Sequence, residues 1–154
     1  MKHLLIAICL LPMTILAQTS GKYQIKKQVL PAALVLVAGA WDGLNQVIAY
    51  QYPHFKARFP GANDQYWSKE ISFLNKYKNG DPAQGAKFPG SKGALVFLTD
   101  GYHLTRFCER LLLSGAFALK ITQDKKRWYW YVLEGCAFWL VNRAGFCLIY
   151  NQFK

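Results

Sequence analysis

Residues 94–119 constrain the fold most. The stretch reads ALVFLTDGYHLTRFCERLLLSGAFAL; it is long and apolar enough to cross a bilayer, yet it carries Asp100, His103, Arg106, Glu109 and Arg110. Ionisable side chains inside a span are costly, so they face a bundle interior or water and pair with one another. A helix of this kind needs neighbours, and two further apolar stretches supply them. Residues 29–50 (VLPAALVLVAGAWDGLNQVIAY) form the first, with Pro31 in its opening turn, where a missing N–H costs little. Asp42, Asn45, Gln46 and Ala49 recur at helical spacing on one face, and Gly39 and Gly43 permit close helix contact. Residues 128–149 form the last; Trp128, Tyr129, Trp130 and Tyr131 open it like an interfacial aromatic belt, and Glu134, Asn142 and Arg143 lie within it. The expected class is all-α: a polytopic membrane protein with a signal segment, three transmembrane helices and one long loop.

Composition agrees with that class. The chain is 53% hydrophobic, and its apolar residues come in blocks, as in a membrane protein. A net charge of +11 suits either nucleic acid or an anionic lipid surface. The charges flank apolar blocks rather than forming one solvated face, which favours lipid. No nucleic-acid-binding motif occurs, so no nucleic acid is expected as partner. Cys9 lies in the leader, and Cys108, Cys136 and Cys147 lie in apolar spans. Without CxxC or Cys/His spacing they read as buried apolar residues.

Residues 1–17 (MKHLLIAICLLPMTILA) have the pattern of a secretory signal: Lys2, an apolar run too short to span comfortably, and Ala17 at a plausible cleavage point. An uncleaved anchor is the alternative. Residues 18–154 then form a single helical membrane domain. Within it, residues 51–93 are the one long polar segment, punctuated by Pro60-Gly61, Asn79-Gly80 and Pro89-Gly90. Residues 66–77 can make a short amphipathic helix with Trp67, Ile71 and Leu74 on one side. The interleaved aromatic residues argue for an ordered loop on the membrane surface. Seven Lys/Arg in this loop balance seven in the two short segments at 18–28 and 120–127, so the positive-inside rule is nearly tied. The leader breaks the tie and puts the loop and the C-terminus on the cytoplasmic side of a bacterial inner membrane.

At about 1.5 Å of rise per residue, Asp42, Asn45, Asp100 and His103 lie roughly 8–15 Å deep from the loop side. Asn142 and Arg143 come to the same level from the opposite direction. This upper layer is the candidate site. Asp42, Asp100 and His103 supply two carboxylates and an imidazole, which can hold a divalent metal ion or share acid–base work. Asn45, Asn142 and Arg143 are the candidate substrate-binding residues, Arg143 as a bidentate phosphate partner. Below it, Arg106, Glu109, Arg110 and Glu134 are expected to be structural ion pairs, with Glu134 neutralising Arg106 or Arg110. His54, just beyond the first span, is a second-tier candidate.

The loop string GANDQYWSKEISFLNKYKNGDPAQGAKFPGS followed by LTDGYHL resembles a group of small uncharacterised bacterial inner-membrane proteins, most distinctively in NKYKNGDP running into TDxxH. The resemblance implies a multi-span inner-membrane protein and brings no established activity. A fainter likeness to VanZ-like membrane proteins rests on Asp100 and His103 of the D-x-x-H pattern, with Gly101 where that pattern favours Lys.

Three readings follow. The first is a metal-dependent hydrolase or transferase acting on a lipid-phosphate type substrate. The second is a non-catalytic assembly component whose charges hold helices together and whose loop docks a membrane protein partner or lipid. The third, an ion or proton pathway, requires a homo-oligomer, because three spans enclose little pore.

Overall fold

A computed structural model describes residues 26–123 and 127–154, and among these the regular structure is all helical, with no strand and one isolated bridge between Tyr77 and Ala86. The expected leader lies outside the described residues. Helix α1 spans Lys26–Tyr50, beginning just before the expected span. The long polar segment folds into three short helices, α2 (Tyr52–Arg58), α3 (Asp64–Trp67) and α4 (Lys69–Ser72), followed by 3-10 turns. Two long helices complete the chain, α5 (Gly101–Ile121) and α6 (Trp128–Tyr150).

α1 is central, and both α5 and α6 pack against it. Glycine makes the α1–α6 contact possible. A Cβ on Gly39 would stand 2.0 Å from the Asn142 carbonyl oxygen, and one on Gly43 2.7 Å from that of Phe146. From the other side, a Cβ on Gly145 would stand 2.0 Å from the Leu36 carbonyl oxygen. Backbone therefore meets backbone along a parallel helix pair, the close approach that small residues at four-residue spacing permit. Val35, Ala38 and Gly39 are buried along this seam. α5 runs antiparallel to α1, and the fully buried Asn45 fastens it: its amide donates to the Tyr102 carbonyl at 2.9 Å and to the Thr105 hydroxyl at 2.8 Å.

A second polar cluster ties all three helices together at the opposite end. Lys120 on α5 pairs with Glu134 on α6 at 2.8 Å and donates to Gln28 on α1 at 2.5 Å. Gln123 accepts from Lys120 at 2.8 Å and from Gln28 at 3.0 Å. Glu134 is 4% exposed. The expected pairing of Glu134 with Arg106 or Arg110 is therefore corrected to Lys120. Register is the reason. Glu134 lies eight residues before Asn142, about 12 Å along the helix. With Asn142 held against Gly39, that offset carries Glu134 past Arg106 to the end of α5.

Two helices, α1 and α6 with its C-terminal turn to Phe153, are long and apolar enough to cross a membrane; α5 falls short because of its charges, which corrects the expected count of three. The expected span at 94–119 also starts too early. Residues 94–100 form turns and a 3-10 segment, and Phe97 stacks on Phe107 of α5 at 3.9 Å between ring centroids. The outer faces are nevertheless apolar. Leu111, Phe117 and Ile121 on α5 and Trp128, Val132, Trp139 and Leu148 on α6 are all more than half exposed.

The long segment is an ordered cap over one end of the bundle. Phe55, Phe153 and Val47 form a buried cluster joining α2, the C-terminal turn and α1. Asp64 accepts from Tyr52 at 2.6 Å and pairs with Lys56 at 2.8 Å. Burial, and then the hydrogen bond to Asp64, push the Tyr52 phenol up to about 12. The amphipathic helix expected at 66–77 is broken at Ser68, whose backbone is extended, and Ile71 stays exposed. Asn79, Gly80 and Gly85 adopt positive φ, and with the 3-10 turn at Pro82–Gln84 they fold the chain back to bring Tyr77 to Ala86.

Gly39→Ala and Gly145→Ala are each expected to destabilise the protein by about 1–3 kcal/mol in thermal unfolding, because backbone must move. Gly135→Ala, where a Cβ meets nothing within 4 Å, is expected to be neutral or to stabilise by up to about 1 kcal/mol. Lys120→Met removes the ammonium that pairs with the buried Glu134 and joins α5 to α1 and α6, and is expected to lower stability. Adding Glu134→Gln in the same thermal assay should recover most of that loss.

Candidate functional site

α5 begins where it does because Asp100 caps it. Asp100 has extended backbone, and its carboxylate accepts the His103 backbone N–H at 2.8 Å, satisfying one of the donors that the first turn leaves open. The same carboxylate lies 2.8–2.9 Å from His103 Nδ1 and accepts from the Thr99 hydroxyl at 2.9 Å. Asp100 is 1% exposed. Burial works against its ionisation, but the hydrogen bonds from the His103 ring, the His103 N–H and Thr99 outweigh it and hold the carboxyl below the usual carboxylate range. The positive end of the α5 dipole favours the same charge.

A carboxylate on Nδ1 sets the imidazole orientation and leaves Nε2 for another partner. His103 lines a pocket of about 440 Å³ together with Asp100, Tyr102, Lys69, Ser72 and Phe73. The Lys69 ammonium sits 5.1 Å from the Tyr50 ring centroid and 5.0 Å from that of Tyr102. Cation–π contact of this kind holds a charge in place while leaving its N–H donors available. The Ser72 hydroxyl is buried and makes no hydrogen bond among the described residues. Lys69, Ser72 and Tyr102 are absent from the sequence-derived site. α4 brings the first two over the start of α5, and no local pattern in SKEIS announces that contact.

Of the six residues expected in the upper layer, Asp100 and His103 come together and the others do not join them. Asp42 lies near Arg106, at 3.5 Å, and Arg106 also pairs with Glu109 at 3.2 Å. Asn45 is buried in the α1–α5 contact, where no substrate reaches it. Asn142 donates to the Val35 carbonyl at 3.3 Å inside the glycine seam. Arg143 is exposed on the outside of α6, with its guanidinium 4.2 Å from the Phe146 ring centroid. Arg110 is exposed and makes no ion pair among the described residues. His54 is exposed on α2 and does not line the pocket.

The expected metal set of Asp42, Asp100 and His103 is not assembled. No group of three His, Cys, Asp or Glu side chains is placed to hold a metal ion among the described residues. Asp100 is committed to His103 and Thr99, and Asp42 to Arg106, so these donors do not fit a divalent ion.

Gly101 has a steric reason to lack a side chain. A Cβ there would stand 2.3 Å from the Trp67 ring, so the indole packs where a side chain would project. No family model, curated protein or solved structure matches the chain.

Asp100→Ala is expected to cost about 1–2 kcal/mol in thermal unfolding through loss of the cap. The pH dependence follows from the lowered pKa of Asp100. The folded value lies below the unfolded one, so the stabilisation is full above the ordinary carboxylate range and is lost as pH falls through the folded value. The stability difference between wild type and Asp100→Asn should therefore shrink as pH is lowered from about 5 toward about 2.

Proposed function

We propose that the chain is a small integral protein of the bacterial inner membrane, with α1 and α6 crossing the bilayer, α5 packed against α1 and the folded cap at the membrane surface. In this reading the Asp100–His103 pair is an acid–base site acting on the phosphate of a lipid headgroup, in a hydrolase or transferase reaction. The observation that carries the reading is the orientation of His103. Asp100 holds Nδ1 at 2.8–2.9 Å, and the ring edges a pocket whose walls also include Lys69 and Glu70.

The chemistry needs no further group from this chain. His103 Nε2 takes the proton of an attacking water or alcohol as its oxygen bonds to phosphorus. The P–O bond to the leaving alcohol breaks, and the imidazolium returns the proton to that oxygen. Lys69 offsets the charge that develops on the phosphoryl oxygens. Asp100 keeps the ring oriented and stabilises its cation. The divalent ion expected from the sequence enters no step, because the donors present do not fit one.

The membrane placement is supported by two helices of spanning length and by the apolar exterior of all three. α1 is 25 residues long, about 37 Å, against a hydrocarbon core of about 30 Å. With Asp100 capping α5, the pocket then lies at the headgroup level, where a lipid phosphate is found.

A second reading has its own observation. The buried polar contacts of Asn45 and of Lys120 with Glu134 all join helices, as expected of a non-catalytic assembly component. The two readings separate on His103→Gln, which changes no helix contact. Phosphate or headgroup release from phospholipid vesicles should fall by about 10²–10⁴-fold in His103→Gln, with the protein still folded and inserted. Wild-type protein with no turnover above background on such vesicles would sink the enzymatic reading and leave the assembly role.

A further inference from the structure

A larger cavity lies on the other side of Trp67. It is a groove of about 840 Å³ between α1, the α2–α3 segment and the end of α6, with Trp41, Leu44, Phe59, Trp67 and Ile149 among its walls. That volume is in the range of sites that hold small organic ligands. Its lining is apolar, with one kind of exception: Arg58 stands on its edge, exposed and without an ion pair among the described residues. The two properties belong to different parts of one ligand. Apolar walls take hydrocarbon, and a guanidinium with free donors takes a phosphate bidentately.

The position of the groove selects the ligand further. Trp41 lies nine residues from the end of α1, about 13 Å along its axis, whereas Arg58 belongs to the cap. The groove therefore runs from the apolar length of α1 up to the polar surface, and its charge is at the surface end. We infer that this groove binds one anionic phospholipid, its acyl chain against Trp41, Leu44 and Ile149 and its phosphate at Arg58. The inference rests on the membrane placement proposed above, but not on any chemistry at His103. Trp67 joins the two sites physically, since its ring lines the groove and packs against Gly101 at the start of α5.

The test uses the full chain purified in detergent, with phosphatidylglycerol and phosphatidylcholine as probes and bound lipid read by native mass spectrometry. Wild type should retain phosphatidylglycerol in preference to phosphatidylcholine. Arg58→Gln should reduce that preference by about five- to tenfold, as expected for losing one charge-assisted contact. Gly61→Trp should reduce binding of both lipids, because Gly61 lines the groove, and a Cβ there meets nothing within 4 Å, so the backbone has room for a side chain. Equal retention of the two lipids by wild type, or unchanged binding in both variants, would overturn the proposal. That outcome leaves the membrane placement intact, whereas extraction of the chain from membranes by alkaline carbonate would overturn the placement and the proposal together.

Discussion

Backbone contact between α1 and α6 is the constraint on which the rest depends. Gly39, Gly43 and Gly145 let the two helices approach until a carbonyl oxygen occupies the place of a Cβ. Such an approach admits one register, because a shift of one residue puts a side chain where only hydrogen fits. That register decides the polar pairings. With Asn142 against Gly39, Glu134 meets Lys120 at the far end, and Arg106 in the middle of α5 is left to Asp42 and Glu109.

α1 carries both contacts, and they use different chemistry. Toward α6 it presents glycine and small apolar residues, and the contact is dispersion between backbones. Toward α5 it presents Asn45, Asp42 and Gln28, and the contact is hydrogen bonds and charge. A polar side chain buried between apolar helices is costly to leave unpaired, so these groups specify which face of α5 turns inward. The outward faces are then largely apolar, with Arg110 and Arg143 exposed among the apolar residues.

The cap converts the end of this bundle into two cavities of opposite character. Its chain breaks at Ser68, and the break sends Trp67 to the apolar groove and Lys69 to the pocket of His103. A continuous helix over 66–77 places Trp67, Ile71 and Leu74 on one side and does not deliver Lys69 to the start of α5. The interruption is therefore what gives Asp100 and His103 a cationic neighbour. Gly101 completes the arrangement by leaving room for the indole.

Much of this was legible in residue order. Three helices, the close-contact role of Gly39 and Gly43, the Asn79-Gly80 turn, and the pairing of Arg106 with Glu109 all follow from spacing, because each depends on residues within a turn or two of one another. The Asp100–His103 relation was legible for the same reason, although its meaning changed. A D-x-x-H string at an apolar boundary is a helix start as readily as a buried pair, and the cap requires α5 to begin at Gly101 rather than at residue 94. Tertiary structure alone decided the partners of Glu134, the separation of Asp42 and Arg143 from the site, and the arrival of Lys69 and Ser72. Those outcomes depend on the register between helices and on the path of the cap. Register is set by where backbones can touch, and helical periodicity carries no information about that.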